Sequence, residues 1–393
     1  MVDAATLATL VLAAGASLFM AWAIGAGSSG STPFAPAVGA NAISVMRAGF
    51  FVGLLGLMGA VLQGANVSEA IGGDLILGAT LSPLAATTAL LVAAALVAFG
   101  VFTGYPIATA FTVTGAVVGT GLALGGDPAW PKYQQIGTLW LLVPVVGGSV
   151  SYGTARLLRD ERLPERVSVP LLGALVGVIL ANVRFAVLGS AGNSQSLAAT
   201  VAATQSGPAV AWTAAVSLGV AVVVALPLAR MMRINPERGQ RRFLLALGGL
   251  VAFSAGGSQV GLAVGPLLPL LGGLSVPLVA ILLGGGFGLL VGSWTGAPRM
   301  IKALAQDYSS LGPRRSIAAL IPSFIIAQTA VFFGIPVSFN EIIVSAIVGS
   351  GYAAGGGEVS RKKMGYTALA WVGSLVLATG VGYGVFRGVT VAF

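Results

Sequence analysis

The 393-residue sequence contains no cysteine and no histidine, and charged residues make up only 8% of it. The lack of cysteine excludes disulfides and thiol chemistry, and the lack of histidine leaves carboxylates to carry out any proton-coupled step. A soluble domain carries about 25% charged residues, so this chain cannot cover a water-facing surface. Hydrophobic residues make up 56%, and the composition predicts an all-α integral membrane protein in contact with lipid.

Twelve apolar stretches are each long enough to form a membrane-spanning or re-entrant helix, for which about 20 residues are needed. Several of them could be broken or re-entrant, so twelve is a number of elements and not of complete crossings. They fall near residues 5–25, 43–63, 83–101, 106–124, 134–155, 168–188, 208–229, 243–264, 275–292, 316–334, 337–354 and 366–389.

The basic residues divide unevenly between the two sides that these stretches define. If every stretch crosses, 17 of the 20 basic residues fall on one side. They lie near Arg47 and in the loops 156–167, 230–242, 296–316 and 355–365. The positive-inside rule makes these loops cytoplasmic, which predicts a multi-pass plasma-membrane protein with both termini outside. Because the basic residues are scattered through short loops, the net charge of +9 does not indicate nucleic-acid binding.

The sequence repeats itself in two places. Residues 25–31 (GAGSSGS) and 256–261 (GGSQVG) each follow an apolar stretch, and residues 105–109 and 335–339 each lead into a second glycine-containing stretch. The predicted topology gives the two copies opposite directions, which is typical of alternating-access transporters. The sequence therefore predicts a first inverted repeat over 1–155, connecting loops with two helices over 156–242, and a second inverted repeat over 243–393.

The glycine- and serine-rich segments predict broken helices at membrane depth. Pro33 and Pro36 follow the first segment, and free backbone groups there must line a cavity and not face lipid. A helix terminus and hydroxyl or amide donors in such a cavity can bind an anion. The alternative is close helix packing through small residues, but two copies in inverted register favour a site. The substrate-binding candidates are Gly27, Ser28, Ser29, Ser31, Thr109, Gly257, Ser258, Gln259, Ser338 and Asn340.

Glu341 is the only carboxylate inside an apolar stretch, since the other ten lie in or near predicted loops. An ionisable group within a bilayer is costly and indicates a function, so Glu341 is the candidate for proton coupling. The alternative is a carboxylate near a helix end that reaches interfacial water. Arg184 lies near the outer end of its stretch, where a long basic side chain is expected to extend to the surface.

These residues resemble the PiT family of inorganic phosphate transporters, which carries a G-A-N-D-V-A-N motif and a later P-V-S-T-T-H segment in each half. Gly25-Ala26 matches the start of the first motif and Gly265-Pro266 the end of the second, while 106–109 and 336–338 match the later segments. The resemblance implies secondary transport of an inorganic oxyanion and a homodimer. The family's Asn-Asp pair becomes Gly27-Ser28 in one copy and Ser258-Gln259 in the other, and its histidine becomes Phe111 and Glu341.

The loss of both aspartates removes the carboxylates that the resemblance assigns to cation and substrate sites, so sodium coupling is not expected. Hydroxyls, an amide and backbone N–H groups can offer donors alone. Sulfate is acceptor-only and fits such a site, and the sequence is similar to the family's sulfate-permease branch. We therefore expect a proton-coupled sulfate permease. The alternatives are a phosphate transporter coupled to protons or sodium, and, in another class, an anion channel. Neither catalytic residues nor a metal or cofactor site are expected.

Overall fold

The computed structural model describes residues 4–189, 194–271, 276–355 and 359–392, so Asp3 and Glu358 lie outside the described residues. The chain is mostly helical, with two short antiparallel pairs: β1 (Ile76–Leu77) with β2 (Asp127–Pro128), and β3 (Arg184–Phe185) with β4 (Gln195–Ser196). The helices are α1 (Ala4–Gly27), α2 (Ala35–Gly39), α3 (Val45–Gln63), α4 (Ala65–Gly73), α5 (Pro83–Thr103), α6 (Thr109–Ala123), α7 (Trp130–Leu157), α8 (Glu165–Asn182), α9 (Leu197–Thr204), α10 (Ala209–Ile234), α11 (Pro236–Val264), α12 (Leu268–Leu271), α13 (Leu278–Thr295), α14 (Ala297–Gln306), α15 (Pro313–Phe333), α16 (Phe339–Tyr352) and α17 (Arg361–Ala392).

Each of the twelve predicted stretches contains a helix. Within the described ranges, ten helices are long and apolar enough to cross a membrane. The remaining two, α6 and α16, have 15 and 14 residues, which is shorter than a span of about 20 residues. Each follows a helix that ends at a glycine in the left-handed region, Gly104 (φ 76°) or Gly334 (φ 63°). These two helices are thus the interrupted elements of the fold, and they begin at corresponding positions in the two halves.

Several short helices lie where the sequence predicted only loops. The clearest is α14, inside the basic loop 296–316. Met300, Ile301 and Leu304 are buried on one side of it, while Arg299 and Lys302 are exposed on the other. This spacing gives an amphipathic helix, which covers the end of the helical bundle with its charges turned away from the core.

The basic loops contact one another across one end of the molecule, which we call the basic face. Arg241 Nε donates to the carbonyl of Ala42 at 3.0 Å, and Arg159 Nη1 donates to the carbonyl of Ala353 at 3.3 Å. Arg314 pairs with Glu165 between two further loops. At the other end, the opposite face, lie both strand pairs and the loops that join them. The segregation of basic loops to one end is the arrangement expected of a membrane protein.

Helices at equivalent places in the two halves run in opposite directions. α3 and α11 lie parallel, because Gly59 faces Phe253 and Gly257 faces Gln63 one turn further along both helices. α1 and α13 are parallel in the same way, whereas α3 and α13 are antiparallel, with Gly49 near Ser293 and Gly64 near Leu282. It follows that α1 and α11, which open the two halves, are antiparallel, as inverted repeats require.

A pair of tryptophans repeats this relation at the interrupted helices. Trp140 Nε1 on α7 donates to the carbonyl of Pro336 at 3.0 Å, and Trp371 Nε1 on α17 donates to the carbonyl of Pro106 at 2.8 Å. Each half therefore supplies the indole that satisfies the carbonyl before the short helix of the other half.

Candidate functional site

The first glycine- and serine-rich segment breaks its helix. α1 ends at Gly27, and turns over residues 28–34 lead to α2. The carbonyl of Ser28 accepts from the hydroxyls of Ser31 at 3.1 Å and Thr32 at 3.0 Å, and also from both backbone N–H groups. Ser31, a predicted substrate-binding residue, thus donates its hydroxyl hydrogen within this turn. Ser29 is buried in the same turn.

The second segment does not break its helix, which corrects the expectation from the sequence. α11 runs without interruption through residues 256–261 and ends at Val264, before a 3-10 turn over Gly265–Leu267. A Cβ on Gly256 would lie 1.9 Å from the carbonyl oxygen of Gly56, and one on Gly257 would lie 2.7 Å from Gln63 Cβ. Gly257 therefore serves close packing against α3, which was the alternative explanation of these glycines.

The two segments meet through the side chain of Gln259. Its Oε1 accepts from the Ser28 hydroxyl at 3.1 Å and from the Thr109 hydroxyl at 2.8 Å. Its Nε2 donates to the carbonyl of Val337 at 2.6 Å. Ser28, Thr109 and Gln259 are all 0% exposed. One amide thus joins the broken end of α1, the start of α6 and the chain before α16.

Asn340 forms a second bridge from the first turn of α16. Its Nδ2 donates to the carbonyl of Gly27 at 2.9 Å and to the carbonyl of Ile107 at 2.7 Å. Two carbonyl acceptors fix the orientation of the amide, since only its nitrogen can donate. The side-chain oxygen of Asn340 therefore faces away from both carbonyls.

Several polar atoms around these bridges are buried without a partner. In the part of the chain that the structure describes, six such side-chain atoms are found, and four belong to predicted site residues: Ser258 Oγ, Ser338 Oγ, Asn340 Oδ1 and Glu341 Oε2. A buried polar atom without a hydrogen bond costs about 1–3 kcal/mol. Three of the four, on Ser258, Ser338 and Asn340, adjoin the bridges at the junction of the two halves, which indicates that a polar ligand or water completes this junction.

Glu341 lies at the wall of a separate cavity. Its side chain is 1% exposed and lines a space of about 890 Å³ between α7, α16 and α17. Phe111 and Trp140 line the same cavity and stack with ring centroids 3.8 Å apart. The lining continues to Tyr352 and Met364 near the basic face. Glu341 is the one charged side chain that is buried among the residues the structure describes.

The structure thus brings Gly27, Ser28, Thr109, Gln259 and Asn340 into one hydrogen-bonded network, flanked by Ser258 and Ser338. The sequence did not indicate that Gln63 and Gln328 form a partly buried amide pair, at 3.2–3.3 Å, near Gly257. Glutamine within an apolar stretch was the available signal. In the described ranges, no three His, Cys, Asp or Glu side chains are grouped so as to hold a metal ion.

Known proteins match the chain over nearly its whole length. The sequence profile of the Phosphate transporter family matches residues 24–382. The chain is 25% identical over 405 residues to the inorganic phosphate transporter 2-1, chloroplastic, of Arabidopsis thaliana, covering 90% of this chain and 68% of that protein. It is 24% identical over 379 residues to TK2061 of Thermococcus kodakarensis, a phosphate permease candidate, covering 90% of each.

A solved structure described as the sodium-dependent phosphate transporter has the same fold. It superposes with a TM-score of 0.81 over 98% of this chain and 100% of that one, at 22% sequence identity. The overall fold of this chain is therefore shared with that structure. Because the family profile covers most of its length, the chain belongs to the Phosphate transporter family.

Proposed function

We propose that the chain is a secondary transporter that imports inorganic phosphate across the plasma membrane by alternating access, coupled to protons. The network around Gln259 is the central site, at the junction of the two inverted halves, where such transporters bind their substrates. Ser258 and Ser338 supply hydroxyls, and Asn340 supplies an amide oxygen.

The observation that supports phosphate most directly is the unpartnered Asn340 Oδ1. Phosphate at neutral pH still carries a proton, and a protonated oxygen needs an acceptor. Sulfate carries none, so a buried amide oxygen would face a sulfate oxygen with no hydrogen between them.

The expectation of sulfate depended on a site of donors alone, and the hydrogen bonds of these side chains argue against that premise. The hydroxyls of Ser28 and Thr109 already donate hydrogen bonds to Gln259 Oε1, and Gln259 Nε2 donates to the carbonyl of Val337. The relatives described above are named for phosphate, so they give no support to a sulfate branch. The alternative of a phosphate carrier is therefore the better interpretation.

Competition in proteoliposomes tests the substrate. Unlabelled phosphate should inhibit uptake of labelled phosphate at least about fivefold more strongly than sulfate, because an unpaired buried acceptor costs about 1–3 kcal/mol. Equal inhibition by sulfate would remove the argument from Asn340, and stronger inhibition would restore the sulfate permease.

Glu341 is the proton carrier of the proposed mechanism. A charged carboxylate is costly in the dry interior of a membrane protein and repels an incoming anion. A proton taken from outside neutralises it, and release of that proton into the cavity that extends to Tyr352 and Met364 restores the charge and favours departure of the anion. Proton and anion then each raise the affinity for the other, which is the thermodynamic meaning of coupling.

Glu341→Gln should abolish accumulation driven by a proton gradient, because the amide cannot release a proton. Exchange of labelled phosphate across the membrane should survive. Glu237→Gln, at an exposed position where α11 begins on the basic face, is the matched control and should accumulate phosphate normally. Accumulation by the Glu341→Gln protein, or a response of the unaltered protein to sodium alone, would contradict proton coupling.

The orientation follows from the charges. The basic face is cytoplasmic and both termini are outside under the positive-inside rule. The opposite face then receives the anion from outside, and the cavity beside Glu341 leads inward.

A further inference from the structure

A second cavity lies toward the opposite face, between α3, α4, α8, α13 and α15. Its volume is about 720 Å³, and much of its lining is apolar. Eight polar side chains interrupt that lining: Gln63, Asn66, Glu69, Asn182, Arg184, Ser194, Gln328 and Thr329. It is distinct from the network around Gln259 and from the cavity beside Glu341.

Arg184 is unusual among the basic residues of the opposite face. That face carries three of them, and Lys132 is bound to Asp74 at 3.0 Å. Arg387 is exposed on α17. Arg184 lines the cavity, and its guanidinium lies 4.1 Å from the centroid of the Phe332 ring. Among the described residues, no carboxylate lies within ion-pair distance of it. Because basic residues are scarce on this face, an arginine without a carboxylate partner in its cavity indicates a role in binding.

The floor of the cavity adjoins the central site. Gln63 and Gln328 exchange hydrogen bonds at 3.2 and 3.3 Å, and Gln328 Nε2 also donates to the Ser254 hydroxyl at 2.6 Å. Gln63 packs directly against Gly257, whose neighbour is the unpartnered Ser258. Gln63 therefore contacts both the cavity and the turn of α11 that carries Ser258.

We propose that this cavity is an outer capture site for a small tetrahedral oxyanion, with Arg184 supplying the charge and the Gln63–Gln328 pair closing the route inward. The guanidinium presents paired N–H donors that match phosphate geometry. Its position at the mouth raises the local concentration of anions before the amide pair opens. The site rests on the proposed function only in that the captured anion is the transported one.

The absence of cysteine from the chain makes a direct test possible. A single Asn66→Cys reporter, or Thr329→Cys if the first does not fold, places one thiol in the cavity wall. Its reaction with an anionic and with a cationic methanethiosulfonate reagent is measured from outside sealed cells. Arg184→Gln should lower the anionic-to-cationic rate ratio by about two- to fivefold, the range of an exposed charge interaction, and phosphate should slow labelling only when Arg184 is present.

Matched variants separate this effect from a general change of charge. Arg387→Gln removes another arginine of the opposite face, also beside an aromatic ring, that of Tyr383 at 5.9 Å, and should leave the ratio unchanged. Glu69→Gln should raise the ratio, because it removes the carboxylate that lines the same cavity. An unchanged ratio in Arg184→Gln, an equal fall in Arg387→Gln, or labelling only from the basic face would overturn the capture site.

Uptake kinetics then distinguish this inference from the proposed function. In Arg184→Gln the KM for phosphate should rise about two- to fivefold with little change in maximal rate, since one exposed charge contact is lost. If the unaltered protein transports no phosphate, the proposed function is wrong. The labelling ratio would still decide whether the cavity selects anions. A normal KM in Arg184→Gln would contradict the capture site and leave the proposed function unaffected.

Discussion

The two glycine- and serine-rich segments have similar compositions and different structures. Residues 25–31 end a helix and form turns, whereas residues 256–261 lie inside a helix that continues to Val264. In the first, the carbonyl of Ser28 is satisfied by groups of its own turn. In the second, Gly256 lets α11 approach the backbone of α3. The small residues of the first segment allow the chain to leave the helical conformation. Those of the second segment allow α11 to pack closely against α3.

Proline explains much of the difference. Pro33 and Pro36 follow the first segment closely and cannot continue a helix from it. The next proline after the second segment is Pro266, which falls just where α11 gives way to a 3-10 turn. In both halves the helix thus ends shortly before a proline, and glycine content alone does not predict where it ends.

The asymmetry also explains how the two segments can meet. Ser28 and Gln259 correspond in the aligned motifs, yet they bond to each other. Ser28 has a short side chain and lies on a turn, whereas Gln259 has a long side chain and lies on a rigid helix. The long amide of Gln259 can therefore reach the hydroxyl of Ser28. The variants below test whether the two positions are as unequal as their structures suggest.

The largest effect is expected for Gln259→Leu. The change leaves the hydroxyl of Ser28 and the carbonyl of Val337 without their partner, and leaves Thr109 only its longer hydrogen bond to Ser28 at 3.4 Å. At about 1–3 kcal/mol for each unsatisfied group, the loss of stability should be about 3 kcal/mol or more, together with loss of uptake. Thermal unfolding of the purified protein measures it. Gln306→Leu, at an exposed position near the basic face, should cost much less, and equal losses would show that Gln259 is not a special junction.

A smaller loss is expected for Gly256→Ala. The added Cβ would lie 1.9 Å from the carbonyl oxygen of Gly56, so α3 and α11 must separate, and overpacking of this kind costs about 1–3 kcal/mol. Gly284→Ala on α13, where no atom lies within 4 Å of the new Cβ, is the control and should be neutral or stabilising. A normal unfolding temperature for Gly256→Ala would contradict the packing role of the second segment.

The sequence predicted the elements of the fold well because hydropathy acts locally. All twelve stretches contain helices, and the basic loops lie together. It did not predict that α11 stays intact, because that depends on Gly56 and Gly59 about 200 residues earlier in the chain. Nor could the sequence show that Gln259 accepts hydrogen bonds from Ser28 and Thr109, since a sequence names possible donors but does not show where they point.

The same limit applies to substrate choice. Counting residue types suggested donors alone, while the oxygen of Asn340 becomes an available acceptor only because two backbone carbonyls fix the amide. The roles of the predicted site residues in binding remain predictions, and the comparison of two serines tests them.

The smallest effects should distinguish Ser28 from Ser258. Ser28→Ala removes a donor to Gln259 and should lower stability by about 0.5–1.5 kcal/mol, the net value of one hydrogen bond. Ser258→Ala removes a hydroxyl that has no partner within the protein, so stability should be unchanged or slightly raised.

Phosphate affinity should respond in the opposite order, because only the free hydroxyl of Ser258 remains available to a ligand. Its loss should weaken binding up to about tenfold, which corresponds to about 1.4 kcal/mol. Ser323→Ala, a buried serine bonded within its own helix, should leave affinity unchanged. Thermal unfolding with and without phosphate gives both quantities from one set of samples. If Ser258→Ala lost stability and kept its affinity, the hydroxyl would be a structural group and the second segment would contribute packing alone.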